Sequence, residues 1–116
     1  MPLTLYGLKN CDVTRDAQAW LRSRGQAFAF HDYKTSGLER ATLERWAGGL
    51  GWEALLNKRG TTFRGLSQAD KDHLDEAKAL SLMLAHTSLI KRPVLDDGRA
   101  ILVGFDDAKW SKALSV

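Results

Sequence analysis

Residues 3–31, LTLYGLKNCDVTRDAQAWLRSRGQAFAFH, decide the fold. Leu3-Thr4-Leu5-Tyr6 is a short alternating run that ends at Gly7, the pattern of a buried strand. From Asp12 to Arg24 there is neither Gly nor Pro, Ala17, Trp20, Leu21 and Arg24 recur at helical spacing, and Gly25 supplies a C-terminal stop. Ala27 to His31 alternates again, with Phe28 and Phe30 on one face. Strand, helix and strand in so short a span make a βαβ unit with parallel strands and a right-handed crossover.

The next segment changes character. Leu38, Leu43, Trp46, Ala47 and Leu50 have helical spacing, and Gly48, Gly49 and Gly51 interrupt it before Trp52-Glu53-Ala54-Leu55-Leu56. The pair Gly48-Gly49 reads equally as a helix stop or a hinge. Ser67 with Asp70 has capping-box spacing, and Leu74, Ala77, Leu80 and Leu84 form another apolar stripe. Residues about 36 to 86 are therefore expected to be a helical insertion. Strand character returns at Val94-Leu95, followed by an Asp96-Asp97-Gly98 turn and Ile101-Leu102-Val103, a hairpin signature. Asp106 or Asp107 can cap a last helix carrying Trp110 and Leu114. Trp46, Trp52 and Trp110 lie on apolar stripes and are expected in the core.

With 116 residues, 44% hydrophobic and 27% charged, the chain fits one domain over residues 1–116. Its net charge of +3 comes from cations scattered among acids, too mild a bias to call for nucleic acid. No apolar run approaches the roughly 20 residues of a membrane span, and the N-terminus does not read as a signal peptide, so a soluble, cytoplasmic chain is expected; it is also expected to be a monomer. His31, His73 and His86 are too unevenly spaced to suggest a metal site, and a lone cysteine excludes an internal disulfide. His31 is expected to pack against Tyr33.

That cysteine, Cys11, falls in the turn between the first strand and the first helix. Unpaired N–H groups and the positive end of the helix dipole favour an anion there. Lys9 and Arg15 are close in sequence, and such surroundings can lower a thiol pKa from about 8.5 to roughly 3.5–7.5. The competing reading is a small buried apolar residue. Cys11-Asp12-Val13-Thr14 has the spacing of a redox C-x-x-C with Thr14 in place of the second thiol. The Thr14 hydroxyl either donates to the thiolate or satisfies a backbone carbonyl. With no resolving cysteine, a mixed disulfide on Cys11 has to be opened by an outside thiol, and glutathione is the abundant candidate. Arg59 and Arg64 flank Gly60-Thr61-Thr62-Phe63. They read either as a solvated loop or as a cationic wall for the carboxylates of glutathione. Pro93 alone reads as a trans proline on an edge strand.

Five stretches, in this order, resemble the ArsC/Spx family, most closely its YffB branch: Leu5-Tyr6-Gly7, Lys9-Asn10-Cys11-Asp12, His31-Asp32-Tyr33, the run Gly51 to Thr62 (GWEALLNKRGTT), and Ile90-Lys91-Arg92-Pro93. The resemblance covers essentially the whole chain. It implies a thioredoxin-like βαβ-ββα core of α/β class with an all-helical insertion between the halves. It further implies a nucleophilic Cys11 and a cis Pro93 facing it, with Arg92 beside the cysteine. Asn10, Thr14, Arg59, Arg92 and Pro93 are then the residues expected to meet glutathione or another substrate, and glutaredoxin is a candidate partner.

Arsenate reductases of this family hold their oxyanion with three arginines. Arg92 matches one, Asn57 stands at the second position with Arg59 two residues on, and Val103-Gly104 stands at the third. Slow or absent arsenate reduction is expected, because three guanidinium groups clamp an oxyanion and one or two do so weakly. Spx-type regulators bind RNA polymerase and often switch through C-x-x-C, which Thr14 removes here. The expected function is a glutathione-dependent thiol–disulfide reductase using Cys11, with arsenate reduction and polymerase docking as the alternatives.

Overall fold

The computed structural model describes residues 3–116. The chain divides into two compact units: residues 3–32 with 92–116, and residues 33–91.

The first unit carries a four-stranded sheet. Strand β1 (Leu3–Gly7) is followed by helix α1 (Asp12–Ser23) and strand β2 (Phe28–Asp32), and after the second unit come β3 (Val94–Asp96) and β4 (Ile101–Val103). The order is β2-β1-β3-β4, with β1 and β2 parallel and β3 antiparallel to both β1 and β4. This is the expected βαβ-ββα arrangement, thioredoxin-like in class. The last helix, α8 (Asp107–Leu114), is capped by Asp106, whose carboxylate accepts the Lys109 N–H at 3.1 Å.

Strand alternation decides what α1 covers. Leu3, Leu5 and Gly7 are buried on β1, while Thr4 and Tyr6 between them are only half-buried. Leu3 and Leu5 form one cluster with Ala17 and Leu21 of α1, Leu95 of β3 and Trp110 of α8. Trp20, Phe105 and Trp110 meet edge to face, with ring centroids 5.0–6.1 Å apart. The α1 helix ends at Arg24, and Gly25, at φ 68°, takes the left-handed turn into β2. The hairpin turn falls one residue later than expected, because Asp96 is still in β3 and the Asp97 carboxylate accepts the N–H groups of Arg99 and Ala100.

The second unit is helical, but wider than the expected 36–86. It opens with a one-turn helix α2 (Tyr33–Ser36) directly after β2 and closes with a 3-10 turn, Thr87–Leu89. Helix α3 (Arg40–Leu50) runs through Gly48 and Gly49, which neither stop nor hinge it, and ends at Gly51 with φ 84°. Short helices α4 (Trp52–Leu55), α5 (Thr61–Arg64) and α6 (Gln68–Lys71) follow, and Ser67 caps α6 as its spacing predicts. Helix α7 (Glu76–Ala85) starts from its own cap, Asp75, so Leu74 lies outside it and Ala77 faces solvent. Its buried stripe is Ala79, Leu80 and Met83, which joins Leu43, Trp46, Leu55 and Leu89 among the buried residues of this unit. Trp46 is fully buried as expected, but Trp52 is only half-buried and Leu50 is exposed.

Candidate functional site

Cys11 is the N-cap of α1, in extended conformation at φ −119° and ψ 123°. Its carbonyl accepts the first helical bond, from the Arg15 N–H at 3.0 Å. Its side chain is partly exposed, and so reachable by a substrate sulfur. The loop that delivers it is held from the end of β2: the Lys9 N–H donates to the Asp32 carboxylate at 2.9 Å.

Thr14 sits one helical turn further on, fully buried. Its Oγ1 is buried and makes no hydrogen bond of ordinary geometry among the described residues, which leaves the hydroxyl available to the nearby Cys11 sulfur, whose thiolate it favours. Partial burial acts to raise the thiol pKa, but the hydroxyl and the backbone N–H of Thr14, followed by the hydrogen bond and the positive charge of Arg92, together bring it below the ordinary thiol value. The cation acting on the sulfur is Arg92, rather than the sequence neighbours Lys9 and Arg15. Arg15 instead pairs with Asp12, both exposed.

Arg92 reaches this place through the sheet. In the antiparallel register Tyr6 opposes Val94, so the residues just beyond them, Gly7 and Pro93, come to the same end of the sheet as the Cys11 turn. The Arg92-Pro93 bond is cis, as the family resemblance implied and the proline alone did not. Pro93 is buried, and its carbonyl accepts the Gly104 N–H at 2.9 Å, tying it to the residue after β4. The structure thus brings Cys11, Thr14, Arg92 and Pro93 together, with Asn10 exposed immediately before the thiol. His31 packs against Tyr6, its cross-strand partner, with ring centroids 4.8 Å apart and the rings tilted by 42°.

Arg59 lies in the helical unit. Its backbone N–H donates to the Asn57 side chain at 3.1 Å. With Glu53, Leu56, Asn57, Lys58 and Lys91 it lines an open depression of about 420 Å³. The two chain segments that carry these cations are fixed to each other. The Asn57 N–H donates to the Leu89 carbonyl and the Lys91 N–H to the Leu55 carbonyl, each at 2.7 Å, around the Leu56–Ile90 bridge. Sequence reasoning missed Asp32 and Lys91. Asp32 closes β2, so its place beside the first loop follows from parallel pairing; Lys91 had no local signal.

The family model described as the ArsC family matches residues 6–113. The chain belongs to the ArsC family. It is 50% identical to a solved structure of the YFFB (PA3664) protein, with TM-score 0.93 over 97% of this chain and 98% of that one. It is 43% identical to an arsenate reductase (ArsC) related protein from Brucella melitensis, with TM-score 0.77 over 100% of this chain and 97% of that one. It is also similar to the global transcriptional regulator Spx of Streptococcus mutans, 29% identical over 90% of this chain and 77% of the relative. Among the described residues no three His, Cys, Asp or Glu side chains gather as metal ligands, and no helix is long and apolar enough to cross a membrane.

Proposed function

We propose that this member of the ArsC family is a glutathione-dependent thiol–disulfide reductase whose single nucleophile is Cys11. The observation that carries the reading is the convergence of the α1 N-terminus, Thr14 and Arg92 on one partly exposed thiol. The Cys11 thiolate attacks the glutathione sulfur of a mixed disulfide, forming a Cys11–glutathione disulfide and releasing the substrate as a thiolate, which takes a proton from water. The thiolate of a second glutathione then attacks the glutathione sulfur on Cys11. Oxidised glutathione leaves, and the Cys11 thiolate is restored. The substrate sulfur is reduced and the sulfur of the second glutathione is oxidised, while the first glutathione sulfur stays at the disulfide level throughout, so electrons balance without a second cysteine in the chain.

Arg92 holds the attacking thiolate and stabilises it again as a leaving group, while Asn10 and Pro93 flank the position of the incoming thiol peptide. The depression with Lys58, Arg59 and Lys91 has the charge to hold a carboxylate, as glutathione carries. The reading assigns the protein to the cytoplasm as a monomer, where glutathione is abundant and glutaredoxin can serve as a second thiol source.

Turnover of a glutathione mixed-disulfide substrate by wild type and Cys11→Ser tests it. Wild type should turn over and Cys11→Ser should not; equal rates would discard the proposal. The similarity to Spx supports a second reading, docking on RNA polymerase with Cys11 incidental. In that case polymerase subunits are recovered with the protein from lysate in stoichiometric amount, and equally with Cys11→Ser.

A further inference from the structure

We propose that Gly7 is a positioning residue for Cys11, because the space left by its missing side chain is what seats the Thr14 hydroxyl beside the sulfur. The inference rests on the reading of Cys11 as the nucleophile, and it adds to that reading a residue outside the loop that carries the thiol.

Gly7 ends β1, is buried, opposes Asp32 in the register, and lies on the face of the strand that α1 covers. A β-carbon built at Gly7 would lie 2.7 Å from Thr14 Oγ1, 2.9 Å from its Cγ2 and 3.4 Å from its Cβ. The first two distances are closer than packed atoms come. Rotating Thr14 about its Cα–Cβ bond gives no escape. Two of the three γ positions face Gly7 and Thr14 carries two γ heavy atoms, so at least one always remains there. Thr14 is fully buried, so a side chain at residue 7 has to displace the first turn of α1 or turn the hydroxyl away from Cys11.

Backbone conformation does not account for the glycine. Gly25, Gly37, Gly51, Gly98 and Gly104 have positive φ and need the freedom of glycine there, but Gly7 is not among them. A glycine at a strand end with ordinary backbone angles marks a close approach, and here the approaching group is Thr14. Thr14 is in turn a buried hydroxyl without a hydrogen-bond partner of ordinary geometry, one helical turn from the Cys11 thiol whose thiolate it favours. The two features explain each other.

The test is the pH dependence of Cys11 alkylation in wild type, Gly7→Ala, Thr14→Ala, Thr14→Ser and the double variant Gly7→Ala/Thr14→Ala, with thermal unfolding followed on each. Loss of the Thr14 hydroxyl from beside Cys11 should raise the alkylation midpoint by about 0.5–1 pH unit, roughly a three- to tenfold loss of thiolate below the midpoint. Gly7→Ala should show this rise, Thr14→Ala should show it, and Thr14→Ser should stay near wild type. The double variant should match Thr14→Ala alone, because Gly7 acts through Thr14 and the coupling is then complete. A folded Gly7→Ala with the wild-type midpoint overturns the inference, as does a double variant whose midpoint rises beyond that of Thr14→Ala. If Gly7→Ala does not fold, the double variant, which removes both γ atoms, decides by the same comparison. A wild-type midpoint at the free-thiol value would instead sink the nucleophile reading itself, whereas a low midpoint that Gly7→Ala leaves in place removes only the role of Gly7.

Discussion

The Asp32 carboxylate accepts the Lys9 backbone N–H at 2.9 Å, so the end of β2 holds the loop that presents Cys11. Strand pairing puts Asp32 opposite Gly7, two residues before Lys9, and the carboxylate continues that ladder with a side chain where backbone pairing stops.

Replacing Asp32 with Ala removes this acceptor. Lys9 is exposed, so water takes over the N–H and the stability change should stay near 1 kcal/mol. The larger effect is on loop order. Amide hydrogen exchange at Lys9 and Asn10 should speed up in Asp32→Ala, and unchanged exchange at both would show that the loop holds itself.

Cys11 has its pKa lowered in the folded chain, and the sign of the linked stability follows. Folding favours the thiolate. The contribution is therefore fully present above the unfolded value, about 8.5, and is lost as the pH falls through the lower folded value. The alkylation midpoint of wild type should lie below about 8.5. In urea unfolding, the stability of wild type relative to Cys11→Ser should increase from acid to alkaline pH. A flat difference across that range would mean that nothing in the fold favours the thiolate.

Arg92 acts on the same sulfur by hydrogen bond and by charge. Arg92→Ala should raise the alkylation midpoint and slow mixed-disulfide turnover, by roughly ten- to a hundredfold if one charge-assisted hydrogen bond worth about 1.5–3 kcal/mol is lost. Arg92→Lys keeps the charge without the planar fork and should fall between the two. An alkylation midpoint in Arg92→Ala equal to that of wild type would remove the guanidinium from the mechanism.

Much of this fold is legible because its elements differ in period. The β1-α1-β2 unit and the hairpin at Val94 to Val103 follow from alternation against helical spacing, and Ser67 and Asp106 act as caps where their side chains predict. Two features of the helical unit were misread for local reasons. Gly48 and Gly49 lie on an open face with nothing near them, so the helix carries them and stops only where Gly51 takes a positive φ. The apolar stripe from Leu74 to Leu84 was phased wrongly because His73, at φ 53°, breaks the chain and Asp75 starts a new helix. At the site, local charge pointed to Lys9 and Arg15, while the acting cation is Arg92, far along the chain and brought in by the β1-β3 register. Only the family resemblance signalled it, because pairing between distant strands leaves no periodic trace near Cys11.

Arsenate reduction should be slow or absent. A tetrahedral oxyanion is held most firmly by several planar guanidinium groups, each donating two hydrogen bonds. At this thiol the chain offers Arg92. Of the other two positions where family arsenate reductases have arginine, one is occupied by Asn57, whose backbone N–H donates to Leu89 and whose side-chain oxygen accepts from the Arg59 N–H, so it acts in the local turn. The other falls at Val103-Gly104, where Val103 pairs with Val94 in the sheet and Gly104, at φ 76°, occupies a backbone conformation that an arginine would enter only with strain. Arg59 remains, displaced by two residues along the chain. Arsenate turnover coupled to glutathione and glutaredoxin should therefore lie far below turnover of a glutathione mixed disulfide by the same preparation. Comparable rates for the two substrates would mean that fewer than three arginines suffice as a clamp, and that the chemistry of this site belongs with oxyanions rather than disulfides.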